Sequence, residues 1–280
     1  MYYLYIFGRA FALFFPRKLA YCLAKWLATC QYSLARKDRE VVMGNLSPII
    51  KDKKQRQDCA RKVFINFAYY LVDFFRYSKL NADFVKKYVR VSGINYLEGA
   101  IRQKKGAIAV TAHIGNYELA GAVTSLLGYK VNAVALSHKD RRINDFFNKQ
   151  RKIVGVNVIS ASVAIKRCFS LLRQGQLVAF LGDRIFSGSG IKVNMFLRET
   201  LLPRGPAFFS LKTNASIMPA FFVRENKNFY HLIFEKPIDT KEFKTEEDIV
   251  KEYSLVLEKY IRLYPDQWYL FQPYWLNSNS

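Results

Sequence analysis

The 280-residue chain lacks the spacings that most metal, nucleotide and hydrolase sites require. Its four cysteines, Cys22, Cys30, Cys59 and Cys168, form no CxxC pair and have no histidine cluster beside them. A zinc site and a disulfide framework are therefore disfavoured and no metal is expected; the cysteines read as small buried hydrophobes in a reducing compartment. No G-x-S-x-G elbow is present, which disfavours a hydrolase-type serine. Neither a P-loop nor a G-x-G-x-x-G occurs, and Ser187-Gly188-Ser189-Gly190 has no flanking pattern, so it reads as a flexible loop and no cofactor is expected. Helix-turn-helix, zinc-finger and RNP signatures are missing as well, and the basic residues are not gathered into an arm, so nucleic acid is not the expected partner. With no Pro/Gly/Ser-rich linker and no repeat, one large domain is preferred to two small ones.

Acidic residues are scarce: 22 against 44 Lys and Arg, a net charge of +22. Such an excess calls for solvation or for an anionic partner, which here means an anionic bilayer, an acidic substrate or an acidic protein. Aromatic residues make up 16% of the chain and crowd the first 80 residues and the last 15. Residues 2–15 are very apolar but carry Arg9, have no small-residue cleavage site, and fall short of the ~20 apolar residues of a spanning helix. After Pro16, Leu19, Leu23, Trp26, Leu27, Cys30 and Leu34 keep helical spacing, with Lys18, Lys25 and Arg36 off that stripe. A helix of this kind lies in a bilayer interface or packs on the protein's own core. The apolar run before it favours membrane contact.

Residues 1–80 read as a helical, membrane-contacting segment and 81–280 as an α/β core. Strands are expected at 107–111, 131–135, 156–159 and 176–181, and helices at 116–127, 141–154 and 162–173. That alternation implies a largely parallel central sheet flanked by helices. The chain reads as irregular from 183 to 203. A helix at 205–213, an antiparallel pair at 216–223 and 229–234 joined by the polar turn 225–228, and a helix at 246–263 follow.

Two expected strands end in reactive groups: 108–111 runs into Ala112-His113, and 177–181 into Gly182-Asp183-Arg184. Sites in open α/β sheets lie beyond the carboxyl ends of strands, so both groups belong to one edge. His113 is one of three histidines, and Glu118 stands five residues on, in the first turn of the next helix, where a carboxylate can orient an imidazole acting as general base on a hydroxyl. The alternative is a strand-end histidine satisfied by backbone, with Glu118 only a favourable charge at a helix start. Asp183 is a second acid that can back His113, and Arg184 can hold a phosphate or carboxylate; a local ion pair is equally open. Residues 139–152 hold six cations and two acids, a solvated face or a receiver of an anionic substrate. His138 and His231 read as structural.

Taken together these residues resemble the late acyltransferases of lipid A biosynthesis, within the wider glycerophospholipid acyltransferase group. The resemblance runs through Val41-Val42-Met43-Gly44-Asn45-Leu46, then the block from Thr111 to Glu118, then Asn144, Arg151 and Gly155. It continues in Gly182-Asp183-Arg184, in Pro203-Arg204-Gly205 and in Pro265-Asp266-Gln267-Trp268. It implies His113 as general base with Glu118 as its orienting partner and Asp183 as an alternative or additional one. Asn116, Arg151, Arg184 and Arg204 would bind substrate. It further implies a fatty acyl thioester donor, on acyl carrier protein or coenzyme A, and a lipid acceptor such as a lipid A precursor, at the cytoplasmic face of the inner membrane. Other acceptors, among them mannosylated phosphoinositides, amino-acid lipids and lysophospholipids, stay open, as does a non-enzymatic basic membrane-binding protein.

Overall fold

A computed structural model describes residues 1–276 except 186–189 and 227, so the loop at 187–190 and the turn at 225–228 lie partly outside the described residues. Among the described residues the core is a seven-stranded sheet in the order β1-β9-β8-β2-β5-β3-β4. The strands are β1 (Val89–Ser92), β2 (Ala107–Thr111), β3 (Val131–Ala135), β4 (Val156–Ser160), β5 (Leu177–Leu181), β8 (Ser216–Arg224) and β9 (Tyr230–Phe234). All neighbours run parallel except β8 and β9, the expected antiparallel pair.

Both faces of β2 and β5 are covered, which is why these strands read as unbroken apolar runs rather than alternating ones. Ala107, Ala109 and Leu177 look to one side, with α4 (Lys53–Phe75), α7 (Tyr117–Leu126) and α8 (Arg141–Ile153). Ile108, Val110 and Val178 look to the other, with α9 (Ala164–Arg173), α10 (Gly205–Thr213) and α11 (Glu246–Leu263). Short helices α5 (Ala82–Tyr88) and α6 (Ile94–Arg102) flank β1, and α3 (Arg36–Leu46) packs under α4.

Two expectations need correcting. Residues 190–203 are not irregular: β6 (Gly190–Met195) and β7 (Arg198–Pro203) form an antiparallel hairpin. Its turn residues, Phe196 and Leu197, both have positive φ, 50° and 62°. Asparagine or glycine usually marks such a turn, so no residue type here signals it. The turn is held from outside, by the Phe196 N–H donating to Glu258 on α11 at 2.9 Å. Nor are all four cysteines buried: Cys59 and Cys168 are, but Cys22 is exposed on the outer side of its helix and Cys30 is half-buried.

That helix, α2 (Arg17–Leu34), follows α1 (Tyr2–Phe14) after the extended Pro16. Its inward face is Ala20, Tyr21, Ala24 and Ala28. Leu19, Trp26, Leu27 and Leu34 are instead 54%, 62%, 52% and 85% exposed. On α1, Tyr3, Phe7 and Phe14 are likewise exposed. The apolar stripe of α2 therefore points mainly away from the protein's own core. No helix among the described residues is long and apolar enough to cross a membrane.

Candidate active site

Register builds the site. Thr111 pairs with Leu181 across the parallel β2–β5 ladder, so the two strand ends leave the sheet side by side and His113 meets Asp183 two residues on. The imidazole Nδ1 lies 2.8 Å from an Asp183 carboxylate oxygen, and the His113 backbone N–H donates to the other at 2.9 Å. Asp183 is fully buried, and burial alone would raise its pKa. The imidazole, the His113 N–H and the Trp268 indole N–H outweigh that and hold the carboxyl below its ordinary range.

The turn between β2 and α7 is clamped by the last segment of the chain. Gly115 has φ +61°, and a Cβ there would stand 2.1 Å from the Phe222 carbonyl oxygen. The Gly115 N–H donates to Gln267 O at 2.8 Å, Asn116 N–H to Phe222 O at 2.7 Å, and Tyr269 N–H to His113 O at 2.7 Å. Gln267 exchanges both ends of its amide with the Arg224 backbone, at 2.9 and 2.8 Å. Trp268 Nε1 donates to Asp183 at 3.2 Å, and Asn45 of α3 holds the same tail through Leu270 O and Gln272 O at 3.0 and 2.9 Å. Trp268 has no role in the sequence reading beyond its motif; the aromatic tail after the last helix was its one local signal.

Glu118 is placed elsewhere than against Nδ1. Arg151 of α8 donates to both its oxygens, with Nε 3.0 Å from one of them, and both side chains are mostly buried. Burial would lower the Arg151 pKa, but the Glu118 charge raises it instead. Asn116 is buried: its Oδ1 caps α7 at the Leu119 N–H, 3.0 Å, and its amide donates to Asp73 at 3.2 Å. This side chain serves the helix start rather than the cavity beside it.

That cavity, about 260 Å3, opens over the sheet face bearing Ala109, Ala133 and Ala179, with Gly121 of α7 above them. Small residues on strand and helix are what leave it open. Tyr70, Thr111, Tyr117, Glu118, His138 and Arg151 also line it, and the Tyr117 ring meets the His113 ring edge-on at 5.3 Å. A neighbouring cavity of about 210 Å3 is lined by Arg184 and Arg204 and shares Leu136, Phe180 and Leu181 with the first. Arg204 is also ion-paired to Glu246 at 2.7 Å, on the surface. The His138 ring meets the Phe147 ring at 4.7 Å with the planes tilted by 35°, and burial followed by the Arg151 charge lowers its pKa.

The His113–Asp183 pair thus lies at the ends of two neighbouring strands, close to an apolar cavity whose lining includes Thr111 and Tyr117. The sequence model of the bacterial lipid A biosynthesis acyltransferases matches residues 1–277. The chain belongs to this family. Among curated proteins it is similar to the phosphatidylinositol mannoside acyltransferase of Mycobacterium tuberculosis, 23% identical over 197 residues, 68% of this chain and 61% of that one. A protein of the same name from Mycolicibacterium smegmatis is 22% identical over 230 residues, 80% of this chain and 74% of that one. The match to the M. tuberculosis protein thus spans about three fifths of its length.

Proposed function

We infer that this family member is an O-acyltransferase that moves a fatty acyl chain from a thioester to a glycolipid hydroxyl, with His113 as general base. The observation that carries this is the 2.8 Å His113–Asp183 pair at the carboxyl edge of the central strands, beside an apolar cavity. Asp183 holds the ring with its proton on Nδ1, leaving Nε2 to take the acceptor's proton as the hydroxyl oxygen attacks the thioester carbon. A tetrahedral oxyanion forms, the C–S bond breaks, and the thiolate takes the proton back from the imidazolium. No acyl-enzyme is expected, since direct attack by the acceptor hydroxyl needs no serine or cysteine nucleophile.

The apolar cavity is the natural place for the acyl chain, because the alanine floor and Gly121 offer length without polar partners. Arg184 and Arg204 suit an anionic group on the acceptor or donor. An acidic carrier protein fits a surface of net charge +22, as does the anionic leaflet into which the exposed stripe of α1 and α2 would dip. The setting is therefore the cytoplasmic face of the inner membrane. The family favours a lipid A precursor as acceptor; the names of the relatives favour a mannosylated phosphoinositide as the second reading. Incubating the protein with acyl carrier protein thioester, then acyl-coenzyme A, and each candidate glycolipid, with mass spectrometry of the lipid product, separates these. A product that gains one ester-linked acyl group is expected. A folded protein that transfers from neither donor would remove the enzymatic reading.

A further inference from the structure

A second polar cavity, about 380 Å3, lies at the elbow between α1 and α2, on the opposite side of α7 from the acyl cavity. Its walls carry four cations, Arg17, Lys18, Arg76 and Lys79, and one carboxylate, Asp73. That carboxylate is already shared, because Arg17 and the buried Arg224 both pair with it, at 3.5 and 2.7 Å. Tyr21 and Tyr230 donate to it as well. Its charge is therefore spent within the protein, and the cavity keeps an excess of positive charge.

The local backbone adds to that excess. The amino end of α2 opens at Pro16 with no side-chain cap and no acid in its first turn. Arg17 and Lys18 at that end oppose the helix dipole, and a bound anion would offset them as Asp73 already offsets Arg17. Arg76 and Lys79 are fixed on the wall by donating to carbonyls at the carboxyl end of α1, Phe15 O at 3.0 Å and Leu13 O at 2.6 Å. Burial, and then the charge of Arg17, lower the Arg76 pKa, as expected where guanidinium groups crowd together. Arg17 is further held by the rings of Tyr21, Phe84, Tyr88 and Tyr230, all within 5.6 Å of its Cζ. A pre-set arginine loses little entropy on meeting a phosphate.

The ligand's source is indicated by what flanks the cavity's cations. Phe14 and Leu19, one on each side of Pro16 in the chain, are 83% and 54% exposed, so exposed apolar residues flank the cationic pair Arg17-Lys18 in sequence. We propose that the elbow cavity binds the phosphate of an anionic phospholipid while the exposed stripe of α1 and α2 enters the same leaflet. The site rests on the membrane-surface part of the function inferred above, not on acyl transfer. It orients the protein on the bilayer from a point apart from His113.

The test is co-sedimentation with vesicles of phosphatidylcholine alone or with one-fifth phosphatidylglycerol, for wild type, Lys18→Ala, Lys18→Ala/Lys79→Ala and a control of equal charge, Lys166→Ala/Arg173→Ala on α9. The control residues lie on the far face of the sheet. Each cation near an anionic surface contributes roughly fivefold to binding. Lys18→Ala should therefore weaken binding to phosphatidylglycerol vesicles about fivefold and the double variant about twentyfold or more, with the control nearly unchanged. Equal losses in the two double variants would make the effect one of net charge and overturn the site, as would no loss in either. Absence of any wild-type preference for phosphatidylglycerol would overturn it too. Inorganic phosphate, used as competitor, should not displace the protein at concentrations that leave ionic strength unchanged; displacement that Lys18→Ala abolishes would assign the cavity to free phosphate instead. Acyl transfer in detergent by Lys18→Ala should equal wild type, which separates this site from the active site.

Discussion

Asp183 and Glu118 are both carboxylates near the end of β2, and their surroundings give them different work. Asp183→Asn keeps the shape but donates where His113 Nδ1 must donate, which favours the wrong tautomer. A fall in kcat of about 10^4 is expected from the same substitution in other His–Asp pairs. The same variant reports on acid stability. The folded carboxyl is held below its ordinary value, so its contribution is complete above the usual aspartate range and is lost as pH falls through the depressed value. Urea melts against pH should show wild type losing stability toward acid more steeply than Asp183→Asn. Glu118→Ala tests the other assignment. It strands the mostly buried Arg151, which should cost about 3 kcal/mol in unfolding free energy, while the His113–Asp183 pair survives. Its kcat should fall far less than that of Asp183→Asn; an equal fall would return Glu118 to the role of orienting partner. The sequence showed both acids at plausible distances from His113, but the choice between them depends on the Thr111–Leu181 register, which belongs to two strands 70 residues apart in sequence.

At the scale of elements, the centre of the core was readable because β2 and β5 are mostly buried apolar runs, ending at Thr111 and just before Gly182-Asp183. Strands β2 and β3 and helices α10 and α11 fall where periodicity placed them, since their ends carry glycine, proline or an N-cap such as Thr245. The β6–β7 hairpin was not readable, because two hydrophobic residues adopt positive φ under tertiary support. Neither was the clamp on the active-site turn, which joins Gly115, Phe222 and Gln267 across more than a hundred residues. Gly115 gives that clamp a sharp test. Gly115→Ala meets both the left-handed backbone and the Phe222 carbonyl, so thermal unfolding should move down by several degrees and activity should be lost with it. An alanine variant that melts and reacts like wild type would mean that the turn does not hold His113 in place. Leu197, fully exposed, offers a contrasting substitution: Leu197→Gly should relieve the positive φ and leave activity unchanged.

Across the whole molecule, the stripe on α2 was visible in the sequence, but which side it faced was not. Only the fold shows that alanines and Tyr21 pack inward while Trp26 and Leu34 face out. The net charge of +22 and that stripe act together in the proposed membrane setting, so vesicle binding should weaken as salt rises and should weaken again in Trp26→Ala at fixed salt. Binding that ignores both would leave the outward stripe without a bilayer. The buried network of Asp73, Arg224, Tyr21 and Tyr230 lies beneath these helices and was hidden because its members are scattered from 21 to 230. The central claim, that the chain is an acyltransferase with His113 as its base, is tested most directly by transfer of a radiolabelled acyl chain from carrier protein thioester to a total lipid extract. Wild type and folded, vesicle-bound His113→Ala should be run side by side. Label in a lipid from wild type alone is the expected result; equal label from both proteins would contradict it.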